Sequence, residues 1–280
     1  MEDDKTINVC YCGNDRMFDG ILISVLSIAM TTKRPINVRI LSGDMRVRGK
    51  DMHKFTPEEA AFIEKAARKH NPETVVRAID VRPQFEKAFK YCINSRSSYT
   101  PYAYMRLILD ILPDTPSKMI YLDTDIVVVK DLGLLFDIDM TGHDVAMALD
   151  EAGHRYISKT YCNSGVLLLN MDEIKKRGTF VKCRKMVNNL VMIMPDQTSL
   201  NRISKKSRIV LPKKFNSQFF LLEDTVIRHY CGNFYMWPFP HEIRVRPWQV
   251  EAFRKRFGED THKELLDEYQ ELKKEYEKAQ

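Results

Sequence analysis

Apolar and polar positions alternate in blocks along the first 130 residues. The run Ile7-Asn-Val-Cys-Tyr-Cys12 breaks at Gly13-Asn14-Asp15 and resumes as Ile21-Leu-Ile-Ser-Val-Leu-Ser-Ile28. This pattern predicts a strand, a polar loop, a helix and then a second strand over residues 36–42. Thr56-Pro57-Glu58-Glu59 predicts a helix start, with a Thr N-cap, Pro at the first helical position and Glu three residues after the cap. Phe62, Ile63, Ala66 and Ala67 give that helix a stripe to bury, and residues 74–81 read as another strand. Strands alternating with helices predict a mainly parallel sheet flanked by helices, whose ligands sit beyond the strands' carboxyl ends.

Farther on, residues 144–149 and 165–170 read as short strands, and 182–194 as a helix ended by Pro195. A Pro-rich, aromatic stretch over 237–248 separates the sheet-forming part from a tail, 249–280, with Leu265, Leu266, Tyr269 and Leu272 at helical spacing. Glu and Lys three and four residues apart suit the tail's outer face. With no internal repeat and no low-complexity linker, the expected organisation is one main domain over 1–240 and a helical extension over 241–280.

At 280 residues the chain has room for a sizeable core. No apolar run approaches the roughly 18 to 20 residues a membrane span needs. MEDDKTINV lacks the basic start and apolar stretch of a signal peptide, so a cytoplasmic location is expected. The six cysteines then read as reduced and packed. Cys10 and Cys12 share a strand face, but no second pair or Cys/His cluster completes a zinc site. The net charge of +6 favours an anionic partner. Nucleic acid is excluded from the expectation, since no binding motif or sustained basic stripe is present.

The chemistry concentrates in KMIYLDTDIVVVKDLGLLF, residues 118–136, where an apolar strand places Asp123 and Asp125 two residues apart. Alternation along a strand predicts that both point to one side. Two such carboxylates repel unless a cation sits between them and a ligand, and a hard divalent ion so held can clamp a diphosphate. Four other segments plant polar residues where apolar elements end: Asn163 and Gly165 in YCNSGVLLLN, Asp196 and Gln197 in PDQTSLN, His229 to Gly232 in HYCG, and Arg106 after Tyr102-Ala-Tyr-Met.

Together YLDTDIVV, CNSGVLLLN, PDQTSLN and HYCG resemble the family-eight glycosyltransferases, which include bacterial lipopolysaccharide galactosyl- and glucosyltransferases and glycogenin. The resemblance runs from about residue 7 to about residue 240. It implies an α/β GT-A (Rossmann-like) fold, a UDP-sugar donor such as UDP-glucose or UDP-galactose, a saccharide or lipid-linked acceptor, and transfer with retention. It implies manganese, or magnesium, on Asp123, Asp125 and His229; an imidazole beside two carboxylates suits manganese better than calcium. Arg106 matches an Arg reaching the donor sugar and phosphate, and Asn163 and Gly165 match donor-sugar contacts. Asp196 and Gln197 match the pair that holds the sugar, Gln197 beneath the anomeric carbon, although Asp196 also fits a helix N-cap. Asp150 matches a position near the sugar hydroxyls. The resemblance further assigns Cys12, Asn14 and Asp15 of the first loop, Thr124 and Gly232 to the nucleotide-sugar. An amide carbonyl is a poor nucleophile, so a front-face reaction is implied over double displacement.

Two departures stand out. Where the family often stacks an aromatic on the base, this chain has Met17, with Phe18 beside it. Where the family often carries a Lys on the diphosphate, the chain reads Asn233-Phe-Tyr-Met-Trp-Pro238, so another residue, or the metal alone, has to supply that charge. Two alternatives stay open: a non-catalytic or degraded nucleotide-sugar-binding protein, and a nucleotidyltransferase, for which the single glycine of Cys12-Gly-Asn-Asp-Arg16 is a poor phosphate cradle. The basic and aromatic residues over 244–257 suggest a peripheral contact between the tail and an anionic membrane.

Overall fold

The computed structural model describes residues 5–279 apart from 48, 97–100, 236–238 and 240. Part of the expected 237–248 separator therefore lies outside the described residues. Among those described, seven strands form one sheet, ordered Ile209–Leu211, Val145–Leu149, Cys162–Asn170, Lys118–Leu122, Ile7–Cys12, Ile36–Ser42 and Val75–Asp80. All run parallel except Cys162–Asn170, which opposes both neighbours. Every residue of Ile7–Cys12 is buried, as a central strand covered on both faces requires.

Local signals held where chemistry at the chain end of an element decides it. Pro57–Ala67 begins with the expected capping box: Thr56 Oγ1 accepts from Glu59 N at 3.1 Å and Glu59 Oε2 accepts from Thr56 N at 2.7 Å. Ile63, Ala66 and Ala67 are buried, and Phe62 is half-buried. The helix expected over 182–194 instead spans Thr179–Asn189. A distant side chain stops it: Asn94 Nδ2 donates to the carbonyls of Val187 and Leu190 at 2.6 and 2.7 Å, and its Oδ1 accepts from Met192 N at 3.1 Å. Those groups no longer need a helical continuation.

The tail forms two helices, Val250–Phe257 and Lys263–Ala279, broken at Gly258 with φ of 99°. Leu265, Leu266, Tyr269 and Leu272 are buried, as their spacing predicts, in the same apolar core as the first helix, Phe18–Thr31. Phe18 stacks on Tyr276 at 4.2 Å between ring centroids, and Phe253 packs edge-on against Tyr230 at 4.9 Å. Val250 and Phe253 thus face inward, and Arg254 pairs with Asp267, so Phe253 is not available to the expected tail–membrane contact.

The packing of Phe253 against Tyr230, next to His229 in sequence, makes the tail part of the site's support. Phe253→Ala is expected to cost about 3–5 kcal/mol, the range for a buried aromatic truncation. A urea titration checks it: the midpoint should fall with the slope unchanged.

Candidate active site

A cavity of about 930 Å³ opens at the carboxyl end of the parallel strands. Because Cys162–Asn170 runs the other way, its first residues meet the last residues of its neighbours. Leu122 pairs with Val166, and Asp123 N donates to Gly165 O at 2.8 Å. Asn163 and Ser164 therefore reach the same cavity wall as Asp123.

Asp123 and Asp125 do not lie on one continuous strand. Lys118–Leu122 ends, the chain turns, and Ile126–Val128 begins, so the two carboxylates converge through a turn rather than by strand alternation. Ile126–Val128 pairs antiparallel with Ile227–His229, His229 lies opposite Ile126, and Tyr230 N donates to Asp125 O at 2.8 Å. That register carries His229 Nε2 to 3.1 Å from Asp125 Oδ1 and 4.0 Å from Asp123 Oδ2. One ligand atom from each of the three lies within 4.8 Å of the others, the single such cluster among the described residues.

The cluster's chemistry fits a divalent ion. Burial pushes the His229 imidazole down to about 4, so it is neutral at pH 7. Its Nδ1 lies 3.1 Å from Asn216 Oδ1, an acceptor that puts the proton there and leaves Nε2 with its lone pair toward the carboxylates. Gly165 serves this packing: a Cβ there would collide with the His229 ring and the Asp123 carboxylate. The close approach expected at Gly165 is thus by two side chains of the site itself, and Gly165 stands behind the cavity wall.

Arg106, on the 3-10 helix Pro101–Ile111, is buried and multiply anchored. It donates to Ala103 O at 2.9 Å, to Ser164 O and to Asp123 Oδ1 at 3.1 Å, and its guanidinium lies 4.0 Å above the Tyr121 ring. Asp196 Oδ2 stands 3.4 Å behind it. Asp196 is fully buried, off the cavity wall, with neither oxygen hydrogen-bonded. Burial raises its carboxyl and the Arg106 charge pulls it back. It is not a helix N-cap, since Met194 holds that position for Pro195–Ile203.

A polar network fills the opposite wall. Asp150 Oδ2 accepts from Asn163 Nδ2 at 2.9 Å and from Gln197 Nε2 at 3.2 Å. Asn163 Oδ1 accepts from Gly165 N at 2.8 Å and Asn216 Nδ2 at 3.0 Å. Gln197 Oε1 accepts from Ser164 N and Ser164 Oγ at 3.0 and 3.2 Å. Cys12, Asn14, Thr124 and Gly232 line the cavity, whereas Asp15 does not; its carboxylate caps Arg16 N at 2.9 Å. The Asn14 side chain is buried beside the Tyr102 hydroxyl, which lines the same stretch of cavity wall. Cys10 and Cys12 are buried free thiols and stand outside the acidic cluster. Phe18 does not replace an aromatic in the first loop: it is buried against Phe55, Phe62 and Tyr276.

Sequence reasoning missed two residues. Asn216, which holds His229, sits in an unpatterned segment with no motif to expose it. Arg246 follows the hairpin Asn233–Tyr235 and His241–Ile243; its guanidinium contacts the Asp125 carboxylate and donates to Tyr230 O at 3.0 Å. Burial lowers it to about 10, so it remains a cation. Its signal was present in Arg246-Pro247-Trp248, past the stretch where a basic residue was expected.

Residues 8–239 match the model of Glycosyl transferase family 8. General stress protein A of Bacillus subtilis (strain 168) is 22% identical, across 90% of this chain and 94% of its own length. The lipopolysaccharide glucosyltransferase WaaO of Escherichia coli (strain K12) is 25% identical across 58% of this chain and 59% of its own. The solved structure of galactosyltransferase LgtC, in complex with donor and acceptor sugar analogs, superposes with a TM-score of 0.65 at 19% identity, covering 93% of this chain and 95% of that one. The shared architecture is the expected GT-A fold. With its four motifs gathered around one cavity and the family model spanning most of its length, the chain belongs to glycosyl transferase family 8.

Proposed function

We propose that the protein transfers a hexose, glucose or galactose, from a UDP-sugar to a saccharide or glycolipid acceptor with retention of configuration, using manganese or magnesium. The observation that carries this reading is the meeting of Asp123, Asp125 and His229 between the buried Arg106 and the half-buried Arg246, on the wall of one cavity. A divalent ion held by the two carboxylates and the imidazole would neutralise charge on a diphosphate leaving group. Arg246 supplies the cation missing after Gly232, and its planar fork suits phosphate oxygens. That answers the strongest support for a degraded enzyme.

Arg106, held from behind by Asp196, orients Asp123 and offers its charge on the donor side, so Asp196 acts as a positioning residue. Asp150, Asn163 and Gln197 present carboxylate and amide groups to sugar hydroxyls. Gln197 Oε1 already accepts two hydrogen bonds, which further blunts it as a nucleophile. This supports a route in which acceptor and leaving group meet on one face of the sugar. At the other end Asn14 lines the part of the cavity that would take the base, with Met17, Met52 and Tyr102 supplying apolar surface for it.

Calorimetric titration of UDP with manganese, then with chelator, tests the reading. Binding should require the metal and vanish in Asp125→Ala; no binding under either condition overturns it. Arg246→Ala should weaken UDP roughly 10- to 100-fold, the loss of a charge-assisted contact, with uridine unaffected. Asn216→Ala should weaken manganese binding about 10- to 100-fold, since the imidazole loses the partner that sets its tautomer.

A further inference from the structure

Several of the large apolar side chains left in water lie on segments that reach the cavity mouth. Tyr156, Ile157, Val191, Ile193, Phe220 and Leu221 are each between 49% and 88% exposed. They come from three segments far apart in sequence that meet at the cavity mouth: Tyr156 and Ile157 line it directly, Met194 lines it just past Ile193, and Phe219 lines it just before Phe220. Gln218 ties two of these segments together, donating to Leu149 O at 2.9 Å and accepting from Glu151 N at 3.1 Å. By contrast Leu134, Val181 and Val210 are exposed on three separate elements, none of which lines the cavity. An apolar rim around an active-site mouth marks an interaction surface, whereas scattered apolar residues need no explanation.

The rim lies on the side of Gln197 and Asp150, away from the base end at Asn14, so whatever covers it must also deliver the acceptor. A second copy sealed over it would close the entrance to the site. A bilayer carrying a lipid-linked saccharide would cover the rim and offer the sugar to the mouth. Charge agrees with a lipid surface: a side pocket of about 260 Å³ beside the rim is lined by Asp150, Glu151, His154, Arg155, Lys159 and Lys213. Lys213 answers Glu151 at 2.5 Å, which leaves Arg155 and Lys159 exposed there as cations. Glu223 and Asp224 close the Phe220 loop, so the attraction comes from the helix Glu151–Tyr156 and the loop after it. Among the described residues no helix is long and apolar enough to cross a membrane, so contact here is with the surface.

We propose that this rim is a docking face which seats the cavity mouth on an anionic lipid surface bearing a lipid-linked acceptor. The inference rests on the transfer reading for the acceptor but not for the surface itself.

The test is sedimentation of the full chain with phosphatidylglycerol/phosphatidylcholine vesicles and with phosphatidylcholine alone. The chain should pellet with the anionic vesicles. Ile193→Asp combined with Phe220→Asp should reduce partitioning about tenfold or more, from two apolar side chains withheld from the interface. Lys159→Glu should reduce it in anionic vesicles only. Leu134→Asp with Val210→Asp, exposed but away from the mouth, should leave it unchanged. In Ile193→Trp, indole emission should shift to the blue when anionic vesicles are added. A wild-type chain that stays in solution overturns the docking face, as does a rim variant that pellets like wild type. So does a dimer in solution that the rim variant dissolves. UDP binding by the same variants, expected at the wild-type level, confirms that they fold; failure of the wild type to bind UDP would count against the donor reading alone.

Discussion

The pairing of Ile227–His229 with Ile126–Val128 holds the site together. About a hundred residues separate the two short strands, and neither belongs to the main sheet. Strand side chains alternate, so a slip of one residue would turn His229 to the opposite face and leave Asp123 and Asp125 facing each other alone. The tail helices defend this register: Tyr230, one residue past the imidazole, is enclosed by Phe253, Phe257 and His262. Distant packing therefore appears in the site as the placement of His229 beside the two aspartates.

Around that register the protein solves an electrostatic problem with its own charges. Two carboxylates in partial burial repel, and each carries an arginine: Arg106 against Asp123, Arg246 against Asp125. Arg106 in turn answers Asp196, which has no water contact. Buried charge of this kind persists only when paired, and removing one member leaves the other without compensation. The polar wall follows the same logic with neutral groups, where Asn163, Asn216 and Gln197 fill one another's hydrogen-bond capacity down to Asp150.

Much of this was legible in the chain. The parallel sheet, the capping box at Thr56 and the buried stripe of the last helix follow from local patterns that tertiary structure had no reason to override. That Asp123, Asp125 and His229 come together was readable because motif and chemistry coincided. What escaped depended on contacts at long range. The helix before Pro195 ends early because Asn94 reaches across nearly a hundred residues to take its carbonyls. The convergence of the two aspartates comes from a turn, and Gly165 is small for the sake of His229, a neighbour sixty-four residues away in sequence. Arg246 escaped because a hairpin carries the chain away before bringing a cation back.

Arg246 has a consequence for when the protein becomes complete. Many metal proteins are held together by their ion, because clustered ligands repel until it arrives. Here Asp125 already has a counter-charge on the polypeptide, and Asp123 another. Under the transfer reading, folding would then not have to wait for the ion, which would arrive with the nucleotide at a site already formed.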